Sequence, residues 1–63
     1  MNLKLKARMV EFYGSQRGFS REIGINEGRV SQVVKGHWRL SPEERQRWAE
    51  RLHEDEGKLF ASN

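Results

Sequence analysis

The sequence predicts an all-α domain, a compact bundle of four to five short helices. Three observations carry that expectation. Capping residues and glycines punctuate the chain at short intervals, and the apolar residues between them recur at three- and four-residue spacing. No segment alternates apolar and polar residues, and no dipeptide is suited to a tight hairpin turn. The chain has 63 residues and no cysteine. It therefore reads as one domain, 1–63, without a disulfide framework or a thiolate metal site, and its stability must come from well-capped helices or from association.

Asn2 is suited to cap a first helix reaching about Tyr13, with Leu3, Ala7 and Val10 on one apolar line, Leu5, Met9 and Phe12 on an adjacent one, and Gly14 as its stop. Ser15 caps a second helix to about Glu22, which offers Phe19 and Ile23 to the core and ends near Gly24. Asn26 caps a third, Glu27 to Lys35, with Val30, Val33 and Val34 inward and Gly36 at its end. The run Ser41-Pro42-Glu43-Glu44 sets a cap, a proline at the first helical position and a glutamate at the third. That is a capping box, and it predicts a fourth helix to about Leu52 that buries Trp48, Ala49 and Leu52. The remainder, 53–63, is ambiguous. Gly57 is a candidate stop for an extended fourth helix, leaving Leu59 and Phe60 to fold back on the core or to reach a partner.

Composition limits the function. Of the residues, 35% are apolar, and at about 1.5–3 kcal/mol for each large side chain buried they do little more than offset the ordering entropy. A deep catalytic cleft would waste such a core, so an enzyme is a poor expectation. The longest apolar run is Leu59-Phe60-Ala61, too short for a membrane span, and the beginning of the chain lacks the apolar stretch of a signal peptide. A reducing cytoplasm fits these features. His37 and His53 are too far apart, and too poorly supported by further ligands, to suggest zinc. Glu43-Glu44 reads as a cap, Glu54-Asp55-Glu56 as a solvated run, and neither a phosphate-binding loop nor a nucleophile paired with a base is present. No cofactor, metal or small-molecule substrate is expected.

Charge is distributed unevenly. Residues 1–39 hold eight basic and three acidic side chains, a net of +5, whereas residues 40–63 hold four basic and six acidic, a net of −2. The front segment is the one suited to a polyanion, the alternative being a solvated surface with ordinary charge scatter.

That segment also carries the most informative spacing. Only three or four residues, Ile23-Gly24-Ile25-Asn26, separate the second helix from the third, with glycine where the chain must turn sharply. Ser20 is small where two helices must approach, and Val30 stands where the third helix packs over the turn. The pattern Ser15-Gln16-x-x-Phe19-Ser20-x-x-Ile23-Gly24-Ile25-Asn26-x-x-x-Val30-Ser31-x-Val33-x-x-Gly36 resembles the helix-turn-helix of the Cro and phage-repressor family. The resemblance covers residues 15–36 closely and the flanking helices loosely. Ser20 departs from the alanine usual in that family, and Val34 from a frequent glutamate. The resemblance implies a lambda-repressor-like DNA-binding fold whose third helix enters the major groove N-terminus first.

On that reading Glu27, Gly28, Arg29, Ser31 and Gln32 meet base edges. Gln32 has the amide fork for adenine and Arg29 the guanidinium fork for guanine, while Glu27 is suited to accept from cytosine. The competing roles are a phosphate contact for Arg29 and a favourable charge at the helix N-terminus for Glu27. Gly28 costs about 1 kcal/mol relative to alanine inside a helix and adds no side chain, which suggests that it lets the backbone ride close to the groove floor. Phosphate contacts are expected from Ser15, Gln16, Arg17, Lys35, His37 and Arg39. Trp38 is expected as a lid on the core, with an indole donor to phosphate as the alternative. Lys4, Lys6 and Arg8 need do no more than solvate the first helix.

The implied partner is double-stranded DNA, a palindromic operator bound by a homodimer in a prokaryotic or phage-infected cell, with repression by occlusion of polymerase. Trp48, Leu52, Leu59 and Phe60 are the expected dimer contacts. The alternative is a protein-interaction module, an antitoxin or adaptor, on the same scaffold.

Overall fold

The computed structural model describes residues 1–60; positions 61–63, the end of the ambiguous tail, lie outside the described residues. Helix α1 (Leu3–Tyr13) starts at Asn2, whose side-chain oxygen accepts from the Leu5 amide at 3.0 Å. Helix α2 (Gln16–Ile23) starts at Ser15 and α3 (Glu27–Lys35) at Asn26, each cap accepting one amide hydrogen of its first turn. The three helices end at Gly14, Gly24 and Gly36, all in the left-handed region. Helix α4 (Pro42–Arg51) carries the expected capping box: the Ser41 hydroxyl accepts from the Glu44 amide at 3.2 Å and the Ser41 amide donates to the Glu44 carboxylate at 3.0 Å. Helix α5 (Glu56–Leu59) is a single turn capped by Asp55. The described residues are all-helical, without a strand, and none of their helices is long and apolar enough to cross a membrane.

The Ser41 amide hydrogen bond holds the Glu44 carboxyl below the ordinary glutamate range, against the opposing effect of burial and with help from the Ser41 hydroxyl, Arg29 and Arg47. A carboxyl with a lowered folded-state pKa contributes stability that is complete above its unfolded pKa and lost as pH falls through the folded one. The melting temperature should therefore decline on acidification through and below the glutamate range. It should decline less in Glu44→Gln, which keeps an acceptor for the Ser41 amide but does not titrate. Identical acid profiles for the two proteins, followed by circular dichroism, would remove this linkage.

The core draws on every element. Leu5 and Met9 from α1, Phe19 from α2, Val30, Val33 and Val34 from α3, and Trp48 from α4 are buried. Phe19 is central, its ring edge-on to Trp48 at 5.1 Å and to Tyr13 at 5.4 Å. Such aromatic pairs add about 0.5–1.5 kcal/mol beyond the area they bury. Asn2 is buried and fastens three segments together: its amide N–H donates to the Val34 carbonyl at 2.6 Å, its side-chain nitrogen to the Leu59 carbonyl at 2.7 Å, and its side-chain oxygen caps α1.

Three expectations need correction. Of the two apolar lines on α1, only Leu5 and Met9 face inward; Leu3 is 67% exposed, Val10 47% and Phe12 42%, and Ala7 is exposed as well. Arg8 and Tyr13 fix this rotation, Arg8 by donating to the His53 carbonyl at 2.7 Å and Tyr13 through its hydroxyl to the Arg51 carbonyl at 3.0 Å. Second, the chain does not extend α4 to Gly57. It reverses at His53, which takes a left-handed φ of 55°, and Gly57 lies inside α5. Third, Trp48, Leu52, Leu59 and Phe60, expected at a dimer contact, are 1%, 0%, 1% and 8% exposed. All four belong to the core cluster of their own chain, so in this conformation they offer little surface to a second copy.

Candidate nucleic-acid interface

Three residues, Gly24, Ile25 and Asn26, join α2 to α3. The Ile25 amide donates to the Ser20 carbonyl at 3.0 Å, closing the turn, while Ile25 packs against the edge of the core. Ser20 is buried and hydrogen-bonded back to the Arg17 carbonyl at 2.7 Å, so its hydroxyl is satisfied without a partner on α3. Phe19, Ser20 and Val30 thus fix α3 against α2, and the outward direction of α3 follows from its own periodicity.

At about 100° per residue, burying Val30, Val33 and Val34 turns Gly28, Gln32 and Lys35 to the opposite side. All three are exposed, and they form one line along the helix. Glu27 falls on the flank towards α2, where its carboxylate pairs with the Arg17 guanidinium at 3.3 Å. Arg29 falls on the other flank, its guanidinium stacked 4.4 Å from the Trp38 ring centroid. Ser31 is half-buried beside the outward line. Beyond the end of α3, the His37 ring nitrogen Nδ1 lies 3.2 Å from the Gln32 side-chain oxygen. At the centre of the N-terminal half of this face stands Gly28. A methyl group there would meet only the Asn26 side-chain oxygen at 3.0 Å, so no packing within the protein requires glycine at this position.

The expected phosphate contacts are spread around this face. Ser15 uses its hydroxyl oxygen to accept from the Gly18 amide at 3.0 Å, which leaves the hydroxyl hydrogen for a ligand. Gln16 is half-buried at the first position of α2, and Arg17, Lys35, His37 and Arg39 are exposed. Elsewhere four cations are matched: Lys4 and Arg8 with Glu54, Arg45 with Glu56, and Arg51 with Glu22. The most exposed of these pairs, Arg51–Glu22, contributes little to stability. Among the described residues Arg21 and Lys35 form no ion pair on α2 and α3, and neither do Lys6, Arg47 and Lys58 on the other helices.

Trp38 does not close over the core. It remains 45% exposed and borders a cleft of about 310 Å³ with Val33, Leu40 and Phe60 on its apolar side and the Arg45–Glu56 pair on its polar side.

Two features of the site escaped sequence reasoning. Gly18 lets α2 approach the end of α1, since a β-carbon there would lie 2.3 Å from the Tyr13 carbonyl oxygen. Close approach of two backbones leaves no local mark beyond the glycine itself. The second is the return of the chain after Gly36, which sets His37 against Gln32 and Trp38 against Arg29. A glycine followed by polar or aromatic residues at a helix end was the available signal. The chain matches no known protein family, no curated protein and no solved structure.

Proposed function

We propose that the chain is a sequence-specific binder of duplex DNA, with α2 and α3 acting as a helix-turn-helix and α3 as the recognition helix in the major groove. The reading rests above all on the exposed line Gly28–Gln32–Lys35, which is bare at its N-terminal end and flanked by Arg17 and Arg29. A helix entering the groove N-terminus first presents that line to the base edges. Gln32 and Ser31 read bases, and Gly28 admits the backbone to the groove floor. Arg29, drawn to the flank by Trp38, and Arg17, beside Glu27, are placed for phosphates. Within this class the chain fits a small transcriptional repressor of the Cro type, two copies of which occupy a palindromic operator and occlude polymerase. The line Leu3, Ala7 and Val10 on α1 favours a second reading, a protein-interaction module, because it leaves apolar surface uncovered.

Three variants test the division of roles. Gln32→Ala should cost about 1–3 kcal/mol on the preferred duplex and relax specificity at one base pair, whereas Arg17→Ala should weaken all duplexes alike. Gly28→Ala should keep a stability close to that of the wild type, the helix propensity of alanine, about 1 kcal/mol better, offsetting a 3.0 Å contact with the Asn26 capping oxygen, yet bind more weakly. Equal behaviour of Gln32→Ala and Arg17→Ala across a duplex panel would refute this assignment. Unchanged affinity of Gly28→Ala would refute close approach.

A further inference from the structure

We propose that His37 is a specificity-determining residue that acts through Gln32, fixing which hydrogen-bonding group of the glutamine amide α3 presents to DNA. The proposal rests on the DNA-binding reading above and deepens it. Its basis is the way α3 ends. Gly36 takes a φ of +85°, its amide donates to the Val33 carbonyl at 3.1 Å, and the His37 amide donates to the Gln32 carbonyl at 2.9 Å. This paired closure returns the residue after the glycine onto the residue that accepts its amide, a place ordinarily filled by an apolar contact. Here the two side chains are polar and meet at 3.2 Å.

The donor and acceptor follow from the atoms. The Gln32 oxygen Oε1 has no hydrogen to give, so the contact is a hydrogen bond only when His37 carries a proton on Nδ1. His37 then donates, and the Gln32 amide cannot rotate end for end without losing the bond. Both hydrogens of its nitrogen are left for a ligand, with no partner among the described residues. A glutamine that leads with its amino group seeks an acceptor in the major groove: a purine N7, guanine O6 or thymine O4. Without His37 the amide samples both orientations and gives up part of that preference. His37 is thus a positioning residue for Gln32 rather than one more phosphate contact, although it was expected among the latter.

Two measurements test this. In the free protein, at a pH where the imidazole is neutral, nitrogen NMR should find the proton on Nδ1 of His37; a bare Nδ1 with the proton on Nε2 overturns the proposal without reference to DNA. On a panel of single-base variants of the preferred duplex, His37→Ala should relax preference at the same base pair as Gln32→Ala, by about fivefold, and should add no further loss in the Gln32→Ala background. Uniform weakening on every duplex, or losses that add, would make His37 a phosphate contact and overturn the proposal. If Gln32→Ala relaxes one pair and His37→Ala does not, the proposal alone fails. If Gln32→Ala relaxes none, base reading by Gln32 fails with it. His37 is exposed, so its replacement should leave the melting temperature unchanged.

Discussion

Gly18→Ala is expected to destabilise the protein by about 2–3 kcal/mol, more than any surface change and comparable with emptying part of the core. The added methyl carbon would lie 2.3 Å from the Tyr13 carbonyl oxygen and 3.3 Å from its carbon. Relief requires backbone to move, because the obstacle is not the end of a flexible side chain. Tyr13 cannot yield easily: its hydroxyl is bonded to the Arg51 carbonyl and its ring rests against Phe19. Helix α2 would have to swing away from α1, taking the Ser15 cap and the orientation of α3 with it. In a domain of this size the loss corresponds to a fall in melting temperature of roughly 4–8 °C for each kcal/mol. Duplex affinity should fall beyond the effect on folding, since α2 and α3 move together. Gly28→Ala, whose added carbon meets only the Asn26 side-chain oxygen at 3.0 Å and no backbone, is the control. Equal melting temperatures for the two variants would show that α1 and α2 are not held at this contact.

Asn2→Ala should cost a similar amount, about 2–3 kcal/mol, through two separable losses. One is the cap of α1, about 1 kcal/mol. The other is the hydrogen bond to the Leu59 carbonyl at 2.7 Å, which lies in the buried interior and would leave an acceptor unsatisfied. Asn2→Asp distinguishes them. The aspartate keeps the capping oxygen but replaces the donor facing Leu59 with an acceptor, so it should remain as unstable as the alanine variant, or more so. Urea unfolding measures both. If Asn2→Asp unfolds like the wild type, the bond to Leu59 contributes nothing and α5 is held by its apolar side chains alone.

The contrast between these two positions shows what could be read from the sequence. The starts of α1 to α4 were legible because a helix cap is a local device, complete within four residues, as at Ser41 and Glu44. The glycine ends were legible for the same reason. Helix α5 was not, because one turn has little stability of its own and depends on burial of Leu59 and on Asn2, 57 positions away along the chain. The rotation of α1 was equally hidden. Both of its apolar lines satisfy helical spacing, and the choice lies with Arg8 and Tyr13 reaching the end of α4. Assignment of Trp48, Leu52, Leu59 and Phe60 to a dimer contact failed because helical spacing does not say which apolar side chains the core takes: these four are buried, while Leu3, Val10, Phe12 and Trp38 stay exposed.

For the candidate site, periodicity alone placed Gly28 and Gln32 outward. It also placed Arg29 near them but could not foresee the indole that draws it to the flank, because Trp38 returns only after the left-handed turn at Gly36. Glu27 has two roles open to it in the sequence, cytosine recognition and a favourable charge at the start of α3. Its pairing with Arg17 adds to the electrostatic role at the start of α3 and makes cytosine recognition depend on breaking that pair.

Whether α3 enters duplex DNA at all is decided by equilibrium binding measured as a function of salt. A helix-turn-helix binder should show measurable affinity for any duplex at low salt and tighter binding to one selected sequence. The logarithm of the binding constant should fall linearly with the logarithm of salt concentration, with a slope of about −0.9 for each phosphate contacted. Absence of duplex binding at low salt, or binding indifferent to salt, would contradict the DNA-binding reading.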